Sequence, residues 1–480
     1  MWPGGQRLCP YDTIEFMSGG SFAARVALTL SVALSPLAAQ IDPNEPVVVF
    51  TEHPRIFLRP ARLKLLRRER ERTSERWRFF ENSMPGSTAP GDGGIPEPGF
   101  AASLYYQVAS DRAMGIRAVN WALGPGRDLR QLALVYDWCQ DLMSDAQKKQ
   151  LAARIQKSIA DSESDNSISA IRSRALGAVA LFDDVPQIPE RVLERVVRAW
   201  WLGRMVPQIK AGHNPIPRED AYPLYEILHA LRDNTNVDLR EACPGFFKDF
   251  PIEHLMSYYP ALYPAPENDY HIGAMRKPAD PDLRQAILSR AADLAMVSYD
   301  TNAPESQVLQ GWLTHDLFLM RGSFGIPYEF MWANPYQPGL SYYHVPLVYY
   351  NPEFGRLYIR SSWDDDAIWF GTFDGAMQTF QDGHVAVLNP LLTQPNLELK
   401  EATVCFAHNI RKFQVTLDEE QGVFLVGLEP RKTYLVEVDD EEMSEVTADT
   451  GGIVALVDLP KGKPVGIRLK ELTSGAGSKE

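Results

Sequence analysis

The chain has 480 residues, 45% of them hydrophobic and 23% charged, with a formal net charge of −14. That length exceeds what one core usually organises, so two or three domains are expected, and the apolar share excludes wholesale disorder. The acidic balance sets nucleic acid aside as a partner, because phosphate binding wants a concentrated basic face.

Residues 1–16 read as an irregular leader, with Met17 a candidate start. Phe22 to Gln40 holds one basic residue, an apolar stretch and small residues at Ala38 and Ala39. This is the layout of a secretory signal, too short to span a membrane comfortably. The expected localisation is therefore secreted or periplasmic, with no integral membrane span after signal removal. Cys139, Cys243 and Cys405 remain beyond the leader, without CxxC pairs or zinc spacing, and read as buried free thiols. No metal and no cofactor is expected.

A lead-in from Ile41 to Val49 precedes His53-Pro54-Arg55-Ile56-Phe57-Leu58 and a basic helical stretch from Pro60 to Phe80. Pro60 suits the first turn. Arg67-Arg68-Glu69-Arg70-Glu71-Arg72 mixes signs at helical spacing and reads as a solvated face with internal ion pairs. Pro85 to Gly99 is a Gly/Pro-rich loop. Apolar residues then recur at three- and four-residue steps over 101–110, 113–123, 128–142, 146–159, 166–182, 189–209, 221–231 and 282–298, with Ser144 a candidate N-cap. Repeated helices of similar length suggest pairs arranged in a ring or solenoid.

Near Pro335 the pattern changes. Short β-branched and aromatic runs follow at 342–350, 355–361, 367–373, 384–388, 402–407, 412–416, 423–428, 433–438, 453–456 and 465–469. Helices followed by strands imply segregated domains. The expected organisation is a leader and signal over 1–40, a helical (α/α) toroid-like domain over 41–335, an antiparallel β-sandwich over 336–472 and a disordered tail over 473–480.

Three segments carry a family resemblance. They are His53–Leu58 leading into the basic helix, Tyr136-Asp137-Trp138 followed by Leu142 to Gln147, and Tyr349 to Gly355 continuing through Arg360 to Asp364. Together they resemble the heparinase II/III-like polysaccharide lyases over most of 50–390. The resemblance implies a toroid followed by a sandwich, and β-elimination at a uronic acid. That reaction needs a base, an acid for the leaving oxygen, and a donor that neutralises the carboxylate as enolate charge develops.

Gly212 to Tyr225 holds suitable groups. His213 is the expected base, Asn214 or Arg218 the carboxylate donor, and Tyr222 the acid, with Tyr225 on the same helix face. The competing reading is an ordinary loop-to-helix junction with core tyrosines. Asn166, by resemblance a carboxylate-binding position, is equally a residue at a helix start. Tyr270 and His271 form a second candidate wall, although a plain polar loop fits them too. Family members usually carry a GHxHxD-type motif in the β-domain, whereas this chain has only His384 in Asp382-Gly383-His384-Val385. That departure puts lyase activity in doubt, and His384 reads equally as the opening of a strand after a turn.

No GxSxG elbow, HExxH, Walker loop or GxGxxG occurs. The expectation is thus a secreted lyase-like protein acting on a uronate-containing polysaccharide or oligosaccharide. Two alternatives stay open: a non-catalytic carbohydrate-binding or surface protein, and a glycoside hydrolase on a similar toroid. Whether the chain is an enzyme, and its oligomeric state, are undetermined by the sequence.

Overall fold

The computed structural model describes residues 41, 45–84, 95–185, 187–264, 269–277, 282–315, 320, 322–419 and 421–471. The leader and signal expected over 1–40, and the tail expected over 473–480, lie outside them. Among the described residues the chain forms two compact units. One comprises 41–389 with Asp449–Gly451, the other Pro390–Ala448 with 452–471. The first unit is helical but also contains a complete sheet.

Its helices start where the sequence supplies caps. Pro60–Glu71 opens on proline. The expected single helix to Phe80 is instead two, because Thr73 takes a left-handed φ of 50° and Ser74 caps Glu75–Ser83 by accepting from the Trp77 N–H. Pro98–Ala109 and Arg112–Leu123 follow, the second capped by Asp111. Asp128 caps Leu129–Trp138, and Ser144 with Gln147 forms a capping box on Asp145–Asp161. Ser167 caps Ile168–Leu181. The next rod runs Ile188–Glu194, then a wider π-helix over Arg195–Met205, then Val206–Lys210.

Ala221–Asn234 is buried on nearly every face. It packs between Ile168–Leu181 and Leu283–Tyr299. Pro244–Met256, Pro304–His315 and Ile326–Trp332 complete the helices that matter below. None of these three was legible as a helix. Pro244–Met256 scatters Lys248, Asp249, Glu253 and His254 among its apolar residues and carries Pro251 inside, so no clear 3.6-residue stripe marks it. Among the described residues, no helix is long and apolar enough to cross a membrane.

A two-stranded hairpin, β1 (Tyr258–Tyr263) and β2 (Tyr270–Gly273), follows Pro244–Met256. Next comes a five-stranded antiparallel meander in sequence order: β3 (Val348–Asn351), β4 (Arg356–Arg360), β5 (Trp369–Phe373), β6 (Ala376–Gln381) and β7 (His384–Val387). Of the strand expected over 342–350, only the end pairs; Pro346 offers no N–H, and Tyr342–His344 is a 3₁₀ turn. Asp374-Gly375 and Asp382-Gly383 all have positive φ, as two-residue hairpin turns require. The meander docks on the end of Pro244–Met256 and on β1 through specific bonds. Trp369 Nε1 donates to Met256 O at 2.9 Å, Tyr259 Oη to Gln378 Oε1 at 2.7 Å, and Arg360 to Tyr258 O at 3.0 Å.

The second unit holds two four-stranded sheets around one apolar core. The strands are β8 (Leu397–Glu398), β9 (Ala402–Phe406), β10 (Lys412–Thr416), β11 (Gly422–Val426), β12 (Thr433–Val438), β13 (Glu442–Thr447), β14 (Val454–Leu456) and β15 (Pro464–Glu471). One sheet runs β10-β15-β12-β13, wholly antiparallel. The other runs β14-β11-β9-β8 and corrects the expectation of an all-antiparallel sandwich, since β9 and β11 pair in parallel. Both central strands are buried on both faces, the environment parallel pairs need. Cys139, Cys243 and Cys405 are buried free thiols.

Candidate functional site

A cleft of about 660 Å³ lies within the first unit, walled by loop 214–219, the end of Pro244–Met256, β2 and the residues after it, the start of Leu283–Tyr299, and β4 with Phe373-Asp374. That volume suits a small ligand or a few units of a chain.

Arg218 stands at its centre. Its Nε donates to Ser289 Oγ at 2.8 Å, and one terminal nitrogen donates to His254 O at 3.0 Å and Ser257 Oγ at 2.5 Å. Its guanidinium lies 4.0 Å from the Tyr258 ring centroid. On another side is Gly273, where an added Cβ would sit 2.1 Å from Arg218 Nε, so only glycine lets the guanidinium lie against β2. All these partners are neutral. Among the described residues Arg218 has no carboxylate partner, and its second terminal nitrogen is buried without an acceptor. Asn214, four residues earlier, spends its Oδ1 on the Ile216 N–H at 2.9 Å and leaves Nδ2 buried without an acceptor. Arg356 ion-pairs with Glu253 and with Asp374, the latter at 2.8 Å, and its Nε is likewise unmet. Buried donors nearly always have partners. Three unmet N–H groups thus belong to residues that line one cleft.

Behind Arg218 lies a Tyr–Asp–His cluster. Asp293 is fully buried; its Oδ1 is 3.0 Å from His254 Nδ1, and its Oδ2 accepts from Tyr258 Oη at 2.6 Å. Ser289 and Asp293 are four apart on one helix, so one face supports both Arg218 and His254. Burial and then the Arg218 cation push the His254 imidazole down to about 4, against the pull of Asp293. It is thus neutral at ordinary pH, its Nδ1 proton pointed at Asp293 and its Nε2 making no hydrogen bond among the described residues. Burial and the Asp293 carboxylate push the Tyr258 phenol up to about 12, so it stays a donor.

Of the residues singled out from the sequence, the cleft brings together Asn214 and Arg218. The others fall elsewhere and correct that grouping. His213 is exposed and absent from the cleft wall; its N–H closes the turn onto Gln208 O at 2.9 Å. Tyr222 is 2% exposed, its Oη donating to Glu226 and receiving the Trp332 Nε1–H at 3.0 Å. Burial and Glu226 raise its phenol well above the usual range. Tyr225 packs against Phe250 and Tyr299 in the core. Asn166 is exposed beside a separate depression with Arg174 and Arg191. Tyr270 and His271 are buried in β2, with His271 Nε2 against Pro260 O at 3.0 Å, rather than in a polar loop. His384 is exposed at the start of β7, after the Asp382-Gly383 turn.

His254, Tyr258 and Asp293 went unnoticed in the sequence. Their one visible signal is a polar interruption, Glu253-His254 and Ser257-Tyr258, inside an otherwise apolar run. Among the described residues no group of three or more His, Cys, Asp or Glu could hold a metal ion.

No family model and no curated protein matches the chain. One matching solved structure is that of a protein named "Glycoside hydrolase"; it is 10% identical over 88% of this chain and 77% of that one, with a TM-score of 0.27. So slight a likeness carries no argument about fold or chemistry.

Proposed function

We propose that the cleft binds the carboxylate of a uronate-containing polysaccharide and that the chain cleaves it by β-elimination, on a helical domain of toroid type. The observation that carries this reading is the Arg218 guanidinium without a carboxylate partner among the described residues, with the unmet donors of Asn214 and Arg356 on residues that line the same cleft. A carboxylate answers a cation and planar N–H donors together.

His254 then takes the proton from the carbon beside the carboxylate, through Nε2. The bonding electrons move into the carboxylate, where Arg218 and Asn214 stabilise the developing charge. The enolate collapses, a carbon–carbon double bond forms, and the bond to the glycosidic oxygen breaks. The imidazolium returns its proton to that oxygen, so one residue serves as base and acid and the proton balance closes. The sealed Tyr222 is not needed. Asp293 holds the imidazole in the required tautomer and stabilises its charged form.

The test is incubation with a panel of polyuronates, following the ultraviolet absorbance of the conjugated double bond in an unsaturated uronate. Arg218→Gln is expected to lower the rate by about 10²–10³-fold, the loss of one charge-stabilising donor. Reducing ends without that absorbance would mean hydrolysis. Binding without either product would leave a non-catalytic carbohydrate protein. Unchanged turnover in Arg218→Gln removes the site.

A further inference from the structure

A second groove, of about 1040 Å³, is walled by Phe50 to Arg55, one face of Pro60–Glu71 with Arg72, and Asp233-Asn234. Lys64, Arg67, Arg68 and Arg72 fall on a single helical stripe, spaced i, i+3, i+4 and i+8. None of the four has a carboxylate partner among the described residues. Arg67 caps the end of Pro98–Ala109, donating to Gln107 O at 3.0 Å, while Arg68 and Arg72 lie over the Tyr336 ring at 5.0 and 5.5 Å. The ion pairs expected inside this helix do not form. Glu69 turns inward instead, to Arg76 and Tyr336. The groove's other formal charges largely cancel: Arg59 pairs with Asp233 at 2.9 Å, and Arg55 with Asp183. Four cations therefore face Glu52 and Glu71 alone, on a chain of net charge −14.

Two features point past simple charge. Phe50 stands 66% exposed at the groove, a flat apolar surface for a sugar ring. His53 holds Asp137 through Nδ1, and its Nε2 is buried without a partner among the described residues. Asp137 is itself immobilised by the N–H groups of Arg55 and Ile56. A ligand carrying sugar rings as well as negative groups suits both the exposed Phe50 face and the cationic stripe.

We infer that this groove is a binding site for an anionic polysaccharide, separate from the cleft and independent of any chemistry there. It holds one stretch of polymer by its carboxylates along the Lys64–Arg72 stripe, with a sugar ring against Phe50. Such a site raises the local concentration of an acidic polymer that the chain's overall charge would repel.

The experiment measures binding of a short oligogalacturonate by calorimetry, in the Arg218→Gln background so that turnover does not interfere. Binding is expected to persist there and to weaken with added salt. Lys64→Gln with Arg68→Gln, which removes two cations whose side chains make no hydrogen bond among the described residues, is expected to lower affinity about tenfold at low salt. The charge-conserving Lys64→Arg with Arg68→Lys retains it. Circular dichroism checks that each variant is folded. The inference falls if Arg218→Gln alone abolishes binding, or if the double glutamine variant binds as tightly as its parent. It also falls if a neutral oligoglucan of equal length, or a single-stranded oligonucleotide, binds as well. Failure here leaves the cleft reading intact, because that reading is judged by turnover.

Discussion

Arg218 shows how a single side chain acquires chemistry from its supports. The Tyr258 face, Gly273 and two serine hydroxyls hold it without neutralising it. Its charge then acts on His254, which burial already disfavours as a cation. A substrate carboxylate seated on Arg218 offsets that charge, so the imidazole becomes more basic when the ligand is in place. The expected consequence lies in the pH profiles. The acidic limb of kcat/KM, which reports the free protein, falls near about 4, and that of kcat lies higher. Coincident limbs would show that Arg218 and the substrate carboxylate do not meet. Asn214 and Arg218 were legible in the sequence because a polar loop between helices advertises its donors. His254 was not, because its residue type says nothing until Asp293, 39 positions on, packs beside it.

Among the elements, Ala221–Asn234 carries the plainest lesson. Its Glu226 is fully buried and bonded by Arg130 at 2.7 Å, by Arg172 and by the Tyr222 hydroxyl. Four helices meet there, because Arg130 comes from Leu129–Trp138, Arg172 from Ile168–Leu181, and Trp332 joins Tyr222. Burial works to raise the Glu226 carboxyl, but Arg130 and Arg172 together outweigh it and hold it below its usual range. Glu226→Gln leaves the buried Arg130 with Glu97 alone and takes from the part-buried Arg172 the carboxylate it bonds, and should cost about 3–5 kcal/mol by denaturant unfolding. A cost under about 1 kcal/mol would mean that the network relaxes with water. Local signals served the elements well where they were local: Ser144 caps Asp145–Asp161 as its place before the helix implied. They failed in the basic helix, where Arg67 and Arg70 cap carbonyls of Pro98–Ala109 instead of forming ion pairs within the helix.

For the molecule as a whole, stability is tied to pH through Glu329. Burial raises this carboxyl to about 8, against the pull of Arg76, the Met320 N–H and Arg290. The folded chain thus holds a proton that the unfolded chain releases above about 4.5. Stability from this group is greatest below that value, falls as pH rises toward 8, and is level beyond. Glu329→Gln keeps the acceptor for Met320 and cannot ionise. It should match the parent near pH 4.5 and exceed it near pH 8 by on the order of 1–3 kcal/mol in thermal melts. A constant difference across that range would place the ionisation elsewhere.

The sequence by itself determined what short-range rules govern. These are the helical first stretch, the later run of strands, the Asp-Gly turns, the N-caps and the free thiols. Only the tertiary structure decided the rest. The meander beginning at β3 joins the helical unit through Trp369, Gln378 and Arg360, bonded to Met256, Tyr259 and Tyr258, although its strands look like the start of the sandwich. Tyr222 and Tyr225 go to the core, and the cleft is built around Arg218, His254 and Asp293. The physical reason is that burial and charge pairing are set by residues far apart in the chain. Periodicity records which face of an element is apolar, but not what that face, or a polar group upon it, will meet.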